Sequence, residues 1–328
     1  MHASHQNCIF LAGVAAPWGT RVLTYAECHF ELLPHPRSAA GNIIALHLTI
    51  YLTSMHKALL AKTKRRKLVI AAWKTYLDTR GSADMAKRIR DWAQASSDNL
   101  AEYDLVISPT FLHIAHIRRI LQDTAKVGAQ NADIASMGAY TGHIPAELLS
   151  DAGCSYVLLG HSEMRKYRKE TDAILQRKIR MILENSSMNV VLCIGEDYEQ
   201  RSNGSTLQVL EAQIRRGLRS ISEAKLQNRL SIAYEPVWAI SSENPVRPPD
   251  AVKVNHTHKK IRRILNELFG KKLSDATRIL YGGSVNLENV SDYIRQSDID
   301  GVLVGSASSR PTFTNLLDVI HRALDNQH

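Results

Sequence analysis

From Lys67 onward the chain alternates between short, nearly all-apolar runs and longer stretches whose apolar residues return every three to four positions. The apolar runs are KLVIAAW (67–73), DLVISP (104–109), KVGAQN (126–131), YVLLGH (156–161), VVLCIGE (190–196), LSIAYEP (230–236), RILYGGS (278–284) and DGVLVGS (300–306). Their length and aliphatic content predict strands. The lack of in–out alternation predicts burial on both faces, as in a parallel sheet. Between them lie patterns such as ADMAKRIRDWAQ (83–94), TDAILQRKIRMILEN (171–185), TLQVLEAQIRRGL (206–218) and FTNLLDVIHRAL (313–324), each with one apolar helical face. Eight strands, each followed by a helical segment, predict a closed (β/α)₈ barrel, an α/β fold, over residues 62–328.

Polar residues inside the apolar runs gather at their C-terminal ends: Lys74, Asn131, His161, Glu196, Glu235, Ser284 and Ser306. In such a barrel those ends and the loops after them build the active site. Lys74 follows the first strand, His161 the fourth and Glu235 the sixth, so closure brings the three to one mouth. Taken singly, each also reads as a structural or surface residue; the joint placement is the signal. Two glycine-containing turns add a candidate phosphate site, YGGS (281–284) after the seventh strand and VGSAS (304–308) after the eighth. Each alone is an ordinary tight turn, but glycine lets backbone N–H groups approach an anion closely, and these two loops are the usual phosphate loops of a barrel. A carboxylate base, an imidazole, an ammonium and a phosphate grip suit proton abstraction beside the carbonyl of a phosphorylated sugar.

Composition narrows the picture further. With 44% hydrophobic and 22% charged residues the chain reads as an ordinary globular protein. No run approaches the roughly 18 apolar residues of a spanning helix, which argues against a membrane protein. Four cysteines, Cys8, Cys28, Cys154 and Cys193, lie far apart without CxxC spacing, which predicts reduced thiols in a cytosolic setting. The pairs His113/His116 and His256/His258 lack companion ligands, so no metal and no cofactor is expected. The formal charge of +9, with KTKRRK at 62–67 its densest part, raises nucleic acid as a partner. Aromatic residues are only 6%, and the basic residues fall on polar helical faces, so a solvated basic surface is the better reading. Residues 1–54 carry only Arg21, Glu27, Glu31 and Arg37 as formal charges. That break sets off residues 1–61 as an N-terminal extension without chemistry, with Met55 as an alternative start. It makes a poor signal or transit peptide.

From Lys67 to the C-terminus the chain resembles the triosephosphate isomerase family. AYEPVWAI (233–240) is similar to that family's catalytic-glutamate signature, and GAYTGHIPAELLSDAGCSYVLLGHSEMRKY (138–167) to its dimer loop, fourth strand and catalytic histidine. VLCIGE, LYGGSVN and DGVLVGSAS follow in the family's order. The resemblance implies the family's TIM barrel, a homodimer, no cofactor, and interconversion of glyceraldehyde 3-phosphate and dihydroxyacetone phosphate in glycolysis and gluconeogenesis. It implies Glu235 as base, His161 as electrophile and Lys74 as the positive charge facing the substrate. It further implies a phosphate held by backbone groups of Ser241, Ser284, Gly305 and Ser306, with Glu163, Trp238 and Tyr281 in support and Pro236–Trp238 as the leading hinge of a lid.

The match departs from the family pattern close to the chemistry. Ala72 stands where the family has asparagine, a loss of one substrate hydrogen bond worth on the order of 1 kcal/mol. SSENPVRPP (241–249) replaces the glycine-containing lid, and Ser241 and Ser306 replace glycines. His143 and Met164 replace a glutamate and an arginine that pair across the dimer interface, so both charges are gone together and neither is left unpaired. Two other readings therefore stay open: an isomerase of a larger phosphorylated ketose such as a tetrulose phosphate, and a phosphate-binding barrel with weakened catalysis.

Overall fold

Strands form at all eight apolar runs: β1 (Lys67–Ala72), β2 (Tyr103–Ser108), β3 (Lys126–Ala129), β4 (Cys154–Leu159), β5 (Asn189–Ile194), β6 (Leu230–Tyr234), β7 (Arg278–Tyr281) and β8 (Gly301–Val304). They pair in parallel, in chain order, and β1 closes on β8 to complete the barrel. This is the TIM barrel expected from the sequence. The computed structural model describes residues 65–95, 100, 102–240 and 248–325, all within the unit Lys62–His328. The extension over 1–61, the alternative start at Met55 and Ser241 lie outside the described residues.

Two sets of apolar side chains explain why the runs lack visible alternation. One residue in two points into the barrel, where Leu68, Ile70, Val106, Leu158, Val191 and Leu280 belong to a compact inner cluster. Their neighbours face outward and join a larger cluster with the helices, for example Val69, Ile107, Val190 and Ile279. Both faces are dry, so both are apolar. The parity fixes what the strand ends present. Ala72 and Ala233 point inward, so Lys74 and Glu235, two residues on, begin on the inner side.

Helices cover the outside, including Thr79–Ala95, Asp172–Asn185, Thr206–Gly217 and Phe313–Asp325 at the predicted amphipathic patterns. After β3 and β7 the helical segments are only Ala146–Asp151 and Val290–Ile294, too short to leave a periodic signature. The long helix Ala251–Ala276 is broken at Gly270, whose φ of 81° lies in the left-handed region that glycine enters freely. At the N-terminal end of the strands, Arg278 bonds Asp104 at 2.7 Å and the Tyr156 hydroxyl at 2.7 Å, a contact that ties β2, β4 and β7 together. The opposite, C-terminal end of the strands leads into Lys74, His161 and Glu235.

Candidate active site

Lys74, His161 and Glu235 do meet at the C-terminal mouth. Lys74 holds a φ of 50°, a conformation costly for a residue with a side chain and typical of positions under functional constraint. Its main chain is fixed by Gln130, whose amide donates to the Lys74 carbonyl at 2.8 Å. Its ammonium lies 2.6 Å from Glu163 Oε1, which balances part of its charge and fixes where the remaining N–H groups point. Glu163 therefore supports Lys74 directly.

His161 is the N-cap of the short helix Ser162–Tyr167, and its Nδ1 accepts the Glu163 backbone N–H at 3.2 Å. A backbone N–H can only donate, so Nδ1 carries no proton and the ring proton resides on Nε2. That nitrogen faces Glu235, with Oε1 at 3.6 Å. Glu235 is 2% exposed, and its Oε2 accepts the Ser162 N–H at 3.1 Å. Cys193 lies beside it inside the barrel. Burial, reinforced by the nearby carboxylate, pushes its thiol well above the usual cysteine range, so it stays a neutral thiol.

The two glycine turns face this group. Gly282–Val285 and Gly305–Ala307 line one pocket with Ala72, Lys74 and His161. A Cβ placed on Gly305 would stand 3.6 Å from the end of the Lys74 stem, so turn and ammonium border the same space. At Gly283 a Cβ would fall 2.3 Å from the Tyr281 hydroxyl, and at Gly282 it would fall 2.8 Å from Glu235 Cγ. Glycine is required at both by close approach rather than by φ. Ser306 opens a short 3₁₀ turn, Ser306–Ser309, whose first N–H groups have no partner within the turn. It is absent from the described positive-φ residues, so a serine fits there without strain. The Ser284 N–H is donated to the Ala239 carbonyl at 3.0 Å.

Not every polar strand end joins the pocket. Glu196 is fully buried and receives the Tyr234 hydroxyl and the Trp238 indole N–H, both at 3.0 Å, so it orients the turn that follows Glu235. Arg201 stacks on the Trp238 ring at 4.3 Å. Asn131 donates to Glu170 at 2.9 Å and accepts from Lys178 at 3.1 Å. Tyr281 is fully buried and stacks on Tyr293 with centroids 4.2 Å apart, beneath the cradle. Ala72, Lys74 and His161 also line an adjoining cavity of ≈ 310 Å³ that runs toward Phe111, Gln130 and Arg168. Among the described residues no group of three or more His, Cys, Asp or Glu is arranged to hold a metal ion, and no helix is long and apolar enough to cross a membrane.

Two side chains that sequence reasoning missed tie this mouth together. Arg165 donates to the Gly160 carbonyl at 2.8 Å and the Cys193 carbonyl at 3.1 Å, joining the ends of β4 and β5. Gln213 binds both peptide groups of Gly195. Both act from helices on backbone groups, which no residue pattern announces.

The family model described as triosephosphate isomerase matches residues 67–321. Curated relatives carrying that name include one from Dictyoglomus turgidum, 39% identical over 75% of this chain and 96% of its own length. The one from Fusobacterium nucleatum is 40% identical over 74% of this chain and 94% of its own length. A third, from Chloroherpeton thalassium, is 39% identical over 74% and 94%.

Proposed function

The chain belongs to the triosephosphate isomerase family, and we propose that it interconverts D-glyceraldehyde 3-phosphate and dihydroxyacetone phosphate with Glu235 as base, His161 as electrophile and Lys74 as electrostatic partner. The observation that carries this reading is a buried carboxylate 3.6 Å from an imidazole nitrogen of His161, whose ring lines a pocket with the Lys74 ammonium and two amide-bearing turns. Glu235 takes the proton from C2 of the aldehyde substrate while His161 Nε2–H polarises and then protonates the carbonyl oxygen. The resulting enediol returns a hydroxyl proton to the imidazole, and Glu235 delivers its proton to C1 to give the ketone. Nothing is oxidised or reduced overall, and no cofactor enters the balance. Lys74 offsets charge that develops on the substrate oxygens. The phosphate is held at the turns of Ser284, Gly305 and Ser306, with Ser241 as a further contact and the Ser284 N–H exchanging the Ala239 carbonyl for the anion. Trp238 and its neighbours Pro236 and Val237 serve as the leading hinge, oriented by Glu196.

We further assign residues 62–328 as the catalytic unit, acting as a homodimer. Tyr76, Phe111, Leu112, Met137, Tyr140 and Tyr167 are exposed large apolar side chains in segments following β1–β4, with Leu112 at 90%. Such a patch on one side of the mouth suits burial against a second copy. A cytosolic setting fits Cys154 and Cys193, both buried free thiols. One observation favours a second substrate. Ala72 offers only a methyl where two cavities adjoin, which leaves room for a four-carbon phosphorylated ketose. Coupled assays on purified protein decide: turnover of both triose phosphates supports the main reading, and turnover of a tetrulose phosphate alone supports the second. Phosphate binding without turnover overturns both.

A further inference from the structure

We propose that Gln213 is a positioning residue for Glu235, acting through the peptide of Gly195. The proposal rests on Glu235 being the base. Glu235 is the first residue past β6, and the end of β5 carries it. Its N–H donates to the Ile194 carbonyl at 2.7 Å, and the Val237 N–H donates to the Glu196 carbonyl at 2.9 Å. Glu235 thus straddles Gly195. The approach is so close that a Cβ on Gly195 would stand 1.7 Å from the Glu235 carbonyl oxygen. Wherever the Gly195 peptide goes, the Glu235 backbone follows.

With β6 bonded to Ile194 and Glu196, the N–H and carbonyl of Gly195 face the other way, toward the helices. One side chain takes both. The Gly195 N–H donates to Gln213 Oε1 at 2.8 Å, and Gln213 Nε2 donates to the Gly195 carbonyl at 3.0 Å. A primary amide is the group that supplies donor and acceptor side by side. The helix carrying it, Thr206–Gly217, is fastened to the barrel by Leu210, Ile214 and Gly217, which share its buried face with Gln213 at helical spacing. The clamp therefore transmits the position of a packed helix to Gly195. This matters because few groups hold the carboxylate itself. Oε2 has the Ser162 N–H, the neutral Cys193 thiol lies against the carboxylate, and Oε1 is a buried oxygen without a hydrogen-bond partner among the described residues. A side chain that must reach a carbon-bound proton depends on where its backbone is set, and an error of about 1 Å costs about a hundredfold.

The test uses the full chain with Gln213→Ala and Gln213→Glu, measuring turnover of glyceraldehyde 3-phosphate and binding of inorganic phosphate. We expect kcat to fall about tenfold to a hundredfold, with KM and phosphate affinity held within about twofold. Gln213→Glu adds a pH readout. Its neutral acid can donate to the Gly195 carbonyl, whereas its carboxylate cannot, so its kcat relative to the unaltered chain should rise as pH falls from 8 toward 5. Adding Gln213→Ala to Glu235→Gln should lower the residual turnover no further. An equal loss in that background, a pH-independent ratio, or KM and phosphate affinity changing along with kcat would overturn the proposal while leaving Glu235 as base. Full turnover by Glu235→Gln alone would overturn the base assignment and this inference with it. Thermal melting of Gln213→Glu separates misplacement from misfolding: an intact transition with low kcat supports the clamp, and wild-type kcat sinks it.

Discussion

The two sides of the barrel mouth are built from different materials. From β4 to β6 the groups are side chains, His161 and Glu235, held through backbone hydrogen bonds from Glu163 and Ser162 and braced by Arg165 and Gln213. From β7 to β8 they are main-chain turns, held by the absence of side chains at Gly282 and Gly283. The difference fits the division of work proposed for the two arcs. A proton must be taken by an atom of a particular basicity, which only a side chain supplies. A phosphate dianion needs several N–H donors at close range, which the backbone supplies once nothing stands in front of it. The first arc should fail when a functional group changes, and the second when an atom is added.

Glu235→Gln is the largest test of that contrast. It keeps shape and removes basicity, so kcat should fall by about 10²- to 10⁴-fold, as general-base catalysis allows, while phosphate affinity stays. Steady-state kinetics beside a phosphate titration would show it, and a matched loss in affinity would erase the distinction between the arcs. A pair of changes in the cradle should be smaller and of the opposite kind. Gly283→Ala adds a Cβ 2.3 Å from the Tyr281 hydroxyl, and Tyr281 is locked by its stack on Tyr293, so the turn must shift. We expect KM to rise about tenfold, the scale of one lost hydrogen bond, with kcat little changed. Ser306→Gly removes only a hydroxymethyl from a residue with unstrained φ, and KM should stay within about twofold. A large effect of Ser306→Gly would show that the serine side chain, rather than its amide, grips the substrate.

The same contrast explains how much was legible in the sequence. Strands were readable because both of their faces are dry, and Lys74, His161 and Glu235 stood out as polar residues ending apolar runs. That rule also selected Glu196, whose side chain turns to Trp238, and Asn131, which bonds Glu170 and Lys178 at the edge of the adjoining cavity rather than at the glycine turns. Polarity at a strand end marks the mouth without saying which way the side chain faces. The cradle was legible as glycines, although the reason each is needed appears only in the fold: at Gly283 the hydroxyl of Tyr281, two residues back, and at Gly282 the side chain of Glu235 from the neighbouring strand. Arg165 and Gln213 were invisible. The bonds that brace the mouth go to backbone groups, the Gly160 and Cys193 carbonyls for Arg165 and the Gly195 peptides for Gln213, and backbone groups carry no sequence signal. The helices Ala146–Asp151 and Val290–Ile294 escaped because one turn and a half cannot display a period.

Both arcs must face one substrate for the proposed chemistry to occur. A structure of the chain soaked with inorganic phosphate tests this most directly. We predict the anion within hydrogen-bond distance of the Ser306 N–H, on the Lys74 side of the cradle, with the Ser284 N–H released from Ala239 and turned toward it. Phosphate bound elsewhere, for instance among Lys259, Lys260 and Arg263 on the outer helix, with the mouth left empty, would contradict it.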